Sequence, residues 1–377
     1  ALLDDRSNVL IIGDLKEKPE LARDYVLGNG SGPLGRPVSM ASFVLEKLFL
    51  EEGLDTSKRI NVYLHVVNGA LLMWLFGLLF RHLGVSGYQW LALLLGTAWL
   101  LSPLYVSTVL YIVQRMAMLA TTFMLLACIC YVYWRGKLAR GRFSLPLCLL
   151  MFINIALGLL AKENAIVVVP VLLLLEALWF QFRDAQGRAI RWLQLLTLTA
   201  IALGAAAVAL VMVFDYDSLA AAFRRRPFTL DERLLTESRI VWDYLGQLLV
   251  PDVARMGLYH DDIEISTSLY EPVSTLHAIV AWSVLVLAML LLLRWKWGRY
   301  LALGPAWFLV GHSVESTVIS LELYFEHRNY FPGMGIFLLG GVLLAALIKK
   351  LPEVKAPLLT ALAVVLVGLS GLTSSQV

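Results

Sequence analysis

Charge is what this sequence has least of. Asp, Glu, Lys and Arg make up 16% of its 377 residues, while apolar residues make up 59%. A soluble domain is nearer a quarter charged, so the chain has too little polar surface to coat a globule of its size; mean hydropathy is +0.75. Cysteine is scarce as well. Cys128, Cys130 and Cys148 all lie inside apolar runs with no loop partner at zinc-like spacing. That excludes a disulfide framework and a structural zinc site, and leaves small buried apolar side chains. A signal-peptide pattern and an initiator methionine are both missing, and no nucleic-acid partner is expected.

What is abundant is the long apolar run. Ten stretches are each long enough to be read as crossing a bilayer: 61–81, 89–107, 114–134, 143–160, 165–182, 191–214, 274–293, 300–313, 329–348 and 356–373. The eighth is short and is read as tilted, broken or re-entrant. The expected architecture is therefore an all-α integral membrane protein of about ten spans, one more being expected upstream. Segment 1–60 forms a first outer loop with amphipathic helices, 61–214 a transmembrane block, 215–273 a second outer loop, and 274–377 a further transmembrane block.

Orientation follows from the cations. Arg81, then Arg135 to Arg142, Arg183 to Arg191, Arg294 to Arg299 and Lys349 to Lys355 supply fourteen Lys and Arg to five alternate short loops. The opposite short loops hold Arg115, Lys162 and Arg328. The positive-inside rule makes the first set cytoplasmic, so both long loops face outward. Trp90, Trp134, Trp179, Trp192, Trp295 and Trp297 sit near span ends and read as interface anchors.

On this topology the unusual polar residues gather at the outer level. They are Asp4-Asp5, Arg36-Pro37, Asn61/His65/Asn68 on one helix face, Gln114-Arg115, Lys162-Glu163-Asn164, Arg239 with His260-Asp261-Asp262, and Glu315, Glu322 and Glu326-His327-Arg328-Asn329-Tyr330. Each has a structural reading. His65 and Asn68 could be interhelical hydrogen bonds, Arg115 a snorkelling side chain, Lys162-Glu163 a local ion pair, and Arg224-Arg225-Arg226 a headgroup contact. Their recurrence at one level argues for a site, because ionisable groups at membrane depth are costly. A proton pathway would place some near the midplane, and only Glu176, near an inner end, lies between the levels. Carboxylates beside several cations suit a lipid-linked phosphate: Arg115, Lys162, Arg239 and Arg328 neutralise it while a carboxylate takes a proton from an attacking hydroxyl.

In order along the chain, Asp4-Asp5, Arg36-Pro37, Asn61/His65/Asn68, Arg115, Lys162-Glu163, Arg239 with Pro251, and Glu326-His327-Arg328-Asn329-Tyr330-Phe331-Pro332 resemble GT-C fold glycosyltransferases that use polyprenyl-phosphate sugars. The resemblance covers nearly the whole chain. It is nearest to transmembrane protein O-mannosyltransferases of the tetratricopeptide-repeat-bearing type and to bacterial type IV pilin glycosyltransferases. It implies an inverting transfer of one sugar from a polyprenyl-phosphate donor to a hydroxyl, such as Ser or Thr of an exported protein, at the periplasmic face of a bacterial inner membrane. Asp4 or Asp5 is then the base, and Arg115, Lys162, Arg239 and Arg328 bind phosphate. Arg36, His65, Asn68, Glu163, His260, Asp261, Glu322, Glu326 and His327 shape the site. No cofactor is required, although His260 and Asp261 carry donors suited to a divalent cation. Ala117 stands where the O-mannosyltransferases carry an acid, which leaves the sugar open, and no repeats occur in this chain. Competing readings are a lipid-linked sugar flippase, favoured by Gly304, Pro305, Gly311 and His312 in the short eighth stretch, transfer to a lipid or polysaccharide acceptor, and a membrane scaffold.

Overall fold

The structure, a computed structural model, describes residues 15–28, 30–50, 53–257, 260 and 263–376. Fifteen α-helices fall in this range: α1 Ala22–Leu27, α2 Pro37–Phe49, α3 Leu54–His82, α4 Tyr88–Leu100, α5 Val106–Leu110, α6 Arg115–Leu138, α7 Leu145–Ala161, α8 Val168–Leu174, α9 Arg191–Phe214, α10 Tyr216–Ala221, α11 Leu230–Leu249, α12 Ser274–Leu292, α13 Lys296–Gly311, α14 Gly333–Lys350 and α15 Lys355–Ser374. Among the described residues there is no strand beyond one isolated bridge between Arg183 and Ala189.

Seven helical segments are long and apolar enough to cross a membrane, and an eighth span results if the bent pair Tyr88–Leu100 and Pro103–Leu110 is taken as one. That pair turns by 52° at its break, beside Pro103, whose ring removes a backbone donor. Eight of the ten expected spans thus have such a helical segment. Each of the ten stretches is largely helical, but α7 has only 17 residues, and α13 has 16, with Pro305 inside it. α3 begins at Leu54, inside the segment read as the first outer loop. The stretch 163–180 changes from 3₁₀ through α to a π-helix at Leu175–Phe180.

The apolar faces explain why a bilayer is the solvent. Only 6% of the spanning window of α9, 11% of that of α12 and none of that of α15 is buried within the protein. Contiguous apolar surface on this scale is not stable against water. By length and composition the chain is a helical membrane protein. The tryptophans divide. Trp90, Trp192 and Trp295 are well exposed, as interface anchors should be, whereas Trp179 and Trp134 are buried. Trp179 packs on Tyr300 at 4.9 Å between ring centroids, so its role is core packing. Cys128 is buried, and all three cysteines are free thiols.

The chain forms two compact units. The first comprises 1–138, 142–169 and 347–377, and the second 139–141 and 170–346. In the first, α3 packs on α4 and α6, α6 on α7, α7 on α2, and α15 on α4. In the second, α12 packs on α11 and α13, and α13 packs on the π-helical turn. There the α13 and α14 backbones touch. A Cβ placed on Gly304 would lie 2.5 Å from the Gly335 carbonyl oxygen, so only glycine allows this approach.

Candidate functional site

The expected site residues fall into two groups, one in each unit. Asp4, Asp5 and Asp261 lie outside the described residues.

In the first unit, α2 lays its polar edge along α3 and α6. Glu46 of α2 ion-pairs with Arg115 and accepts the Ser57 hydroxyl. Arg115 also donates from Nε to Asn61 Oδ1 at 3.0 Å and from Nη2 to the Ser57 carbonyl at 3.1 Å. Its guanidinium sits 4.6 Å from the centroid of the Phe43 ring. Asn61 returns the favour to the backbone, its amide reaching the Val109 carbonyl at 3.1 Å and that of Tyr111 at 3.3 Å. Those carbonyls belong to the bent connection before α6, which has no regular ladder to satisfy them. Arg115 is 1% exposed. Burial and three protein partners make Arg115 a strut between α2, α3 and α6.

Asn68 donates to the Met118 carbonyl at 3.0 Å and accepts from Thr122 at 2.7 Å. His65 Nε2 meets the Leu100 carbonyl at 3.1 Å, and its ring packs on Trp99 at 4.9 Å. Both therefore hold helices together at the level where α4 ends. Arg36 adopts a left-handed conformation (φ 49°) at the start of α2. Its Nε binds Glu163 Oε2 at 2.9 Å, while Glu163 Oε1 accepts the Leu34 amide at 3.2 Å. Gly32, at φ +89°, lets that turn close over Glu163. Lys162 caps α7 in extended conformation and is half-buried.

The second unit holds an open cavity of about 920 Å³ between α11, the N-terminal end of α12, residues 254–257, His260 and residues 263–264. Arg239 lines the cavity; its Nη1 donates to the Glu264 carbonyl at 2.8 Å and to Ser266 Oγ at 3.2 Å. Its Nη2 and Nε make no hydrogen bond among the described residues. His260 forms part of the wall: Nε2 lies 3.1 Å from the Gly257 carbonyl and 3.5 Å from Glu326 Oε1, and its ring packs on Tyr324 at 4.1 Å. Glu326 is buried and fixes the Gly257 amide at 2.7 Å.

Sequence reasoning missed the other polar lining, namely Asp243, Arg255, Glu264, His277 and Tyr324. Arg255 donates to Asp243 Oδ1 at 2.6 Å, and Tyr324 donates to Asp243 Oδ2 at 2.9 Å. The bond to Asp243 raises the Arg255 pKa above its ordinary value. Burial, with the Asp243 charge added, pushes the Tyr324 phenol up. His277, exposed and one turn into an apolar span, carries the signal that could have been read: an isolated imidazole at a helix mouth.

Behind the cavity, Arg233 and Arg328 hold the irregular segment 312–325. Arg233 donates to the carbonyls of Thr317 (2.9 Å), Leu321 (2.6 Å) and Glu315 (2.8 Å), and Arg328 to those of Leu323 (2.6 Å) and Glu322. Both guanidiniums meet Glu237, at 2.9 and 3.3 Å. Burial lowers the pKa of Arg233 to about 10, Glu237 opposing. Arg328 is 4% exposed. Glu322 is exposed and pairs with Arg226. His327 is half-buried and stacks on Phe325 at 5.0 Å. Arg226 thus serves a protein contact rather than the headgroup contact read for the Arg224-Arg225-Arg226 run, while Arg224 and Arg225 are exposed. Among the described residues, no group of three His, Cys, Asp or Glu is placed to hold a metal ion.

Comparison with protein-family models, with curated proteins and with solved structures finds no match for this chain.

Proposed function

We propose that the protein is a membrane glycosyltransferase of GT-C type. It moves one sugar from a polyprenyl-phosphate donor to a hydroxyl acceptor, Ser or Thr of an exported protein, at the outer face of a bacterial inner membrane. The observation that supports this most is the cavity of about 920 Å³ into which Arg239 opens with donors that none of the described residues takes up, beside His260, Arg255 and His277. Its size suits a sugar phosphate, and a planar fork of N–H groups suits a phosphate oxygen pair. Of the four cations read as phosphate-binding, Arg239 is the one that lines this cavity. Asp4 or Asp5 acts as base, taking the acceptor proton as the sugar carbon inverts and the polyprenyl phosphate departs. The flippase reading gains little, since α13 runs unbroken through Pro305.

The test is transfer in vitro. Full-length protein is incubated with radiolabelled polyprenyl-phosphate sugars and host membrane proteins, beside the Asp4→Ala/Asp5→Ala double variant. Label on a protein band in the wild type, lost in the variant, is expected. A wild-type protein that binds donor yet transfers nothing to any protein, lipid or glycan would end the enzyme reading.

A further inference from the structure

A second cavity, of about 580 Å³, lies wholly in the first unit, at the C-terminal end of α3 beside Arg81. It opens between α3, α4 and α6. Its floor is Gly77 of α3 facing Ala92 of α4, where the missing side chain leaves a furrow. Its walls are aromatic. Trp74 and Tyr133 face each other edge to face at 6.1 Å, and the indole N–H donates to the phenol oxygen at 3.1 Å. That bond satisfies the indole donor within the wall, so both rings can sit in hydrocarbon. Trp90, 61% exposed, stands at the rim.

The mouth is cationic. Arg81 and Gln89 line it, and the α3–α4 turn, 81–90, contains no acid. Two more cations converge on the same turn from distant parts of the chain. The Lys349 ammonium donates to the Leu83 carbonyl, and that of Lys355 lies against Gly87. An apolar furrow at membrane depth holds no water, which would find few partners there. An acyl chain fills it and gains dispersion contacts along the aromatic walls.

We infer that this furrow binds one anionic glycerophospholipid of the cytoplasmic leaflet, with an acyl chain along Gly77 and Ala92 against the paired Trp74 and Tyr133 rings and the phosphate-bearing headgroup at Arg81. The site is independent of the proposed transferase activity. Charge complementarity selects the headgroup: a cation at the membrane surface favours an anionic over a zwitterionic lipid by about fivefold. Trp74, Trp90 and Tyr133 are all exposed at the furrow, so the ligand enters laterally from the leaflet.

Native mass spectrometry of the full-length protein in detergent tests this, with equal phosphatidylglycerol and phosphatidylcholine added. One phosphatidylglycerol should be retained with about fivefold preference. Arg81→Glu should bring the ratio near one. Trp74→Ala should weaken retention of both lipids. Arg142→Glu, on another loop of the same charge, should leave the preference unchanged. Equal retention of the two lipids by the wild type would overturn the assignment. So would an unchanged preference in Arg81→Glu, or an equal loss in Arg142→Glu, which would mean a diffuse positive surface. Thermal unfolding shows that each variant is folded, and Arg81→Gln serves if Arg81→Glu is not.

Discussion

Arg328 donates to Glu237 at 3.3 Å, with both side chains only 2% exposed. The pair lies behind the Arg239 cavity, and Glu237 offsets one of the two positive charges that Arg233 and Arg328 bring to the carbonyls of 315–323. Arg328→Ala should cost about 3–5 kcal/mol, because it leaves Glu237 and those carbonyls short of donors. Arg328→Lys should recover little, since an ammonium cannot span the Leu323 and Glu322 carbonyls and the carboxylate together. Thermal unfolding in detergent decides it, and a stable Arg328→Ala protein would contradict the structural role.

The Arg115–Glu46 pair makes an analogous case in the first unit. Arg115→Met and Glu46→Met should each destabilise by about 3–5 kcal/mol. The double variant should be closer to wild type than the sum, because neither charge is then stranded. Additive losses would show that the two groups do not act as a pair.

Arg239 differs from both. Arg239→Ala should leave the unfolding temperature nearly unchanged and lower kcat/KM for the polyprenyl-phosphate sugar by about tenfold to a hundredfold, the value of one charge-assisted hydrogen bond. Unchanged kinetics would remove Arg239 from the donor site.

At Gly304 the expected response is steric. Gly304→Ala should cost about 1–3 kcal/mol by forcing α13 from α14, and Gly340→Ala, with no atom near its Cβ, should cost less than half a kcal/mol or so. Parallel thermal melts of the two variants check this.

The buried phenols predict an alkaline limit. Tyr324 and Tyr244 are held above their ordinary value of 10.0, chiefly by burial. A phenol raised in the folded state contributes its full stability below the unfolded value and loses it as pH rises beyond. Stability should therefore fall above about pH 10, and Tyr324→Phe should fall less steeply. Unfolding temperatures from pH 8 to 11 read the slope directly.

How much of this was legible in the sequence differs from element to element. Apolar runs such as 191–214 and 274–293 became α9 and α12 nearly residue for residue, because a bilayer demands a long apolar helix and cations stop it. The π-helical turn at Leu175–Phe180 was not legible, since it arises from packing on α13 rather than from local propensity. Glu46 escaped notice because a Glu on an amphipathic helix reads as solvated. It is a partner only once α2 meets α6.

Among the site residues, the structure puts Arg36 and Lys162-Glu163 in the first unit and Arg239 and His260 in the second. The sequence determined, by itself, that the chain is helical and that it belongs in a membrane. The tertiary structure decided which arginines remain open. Arg115, Arg239 and Arg328 look alike in one dimension. Burial and hydrogen-bond partners are set by residues far away in the chain, and those close around Arg115 and Arg328 while leaving Arg239 facing a cavity.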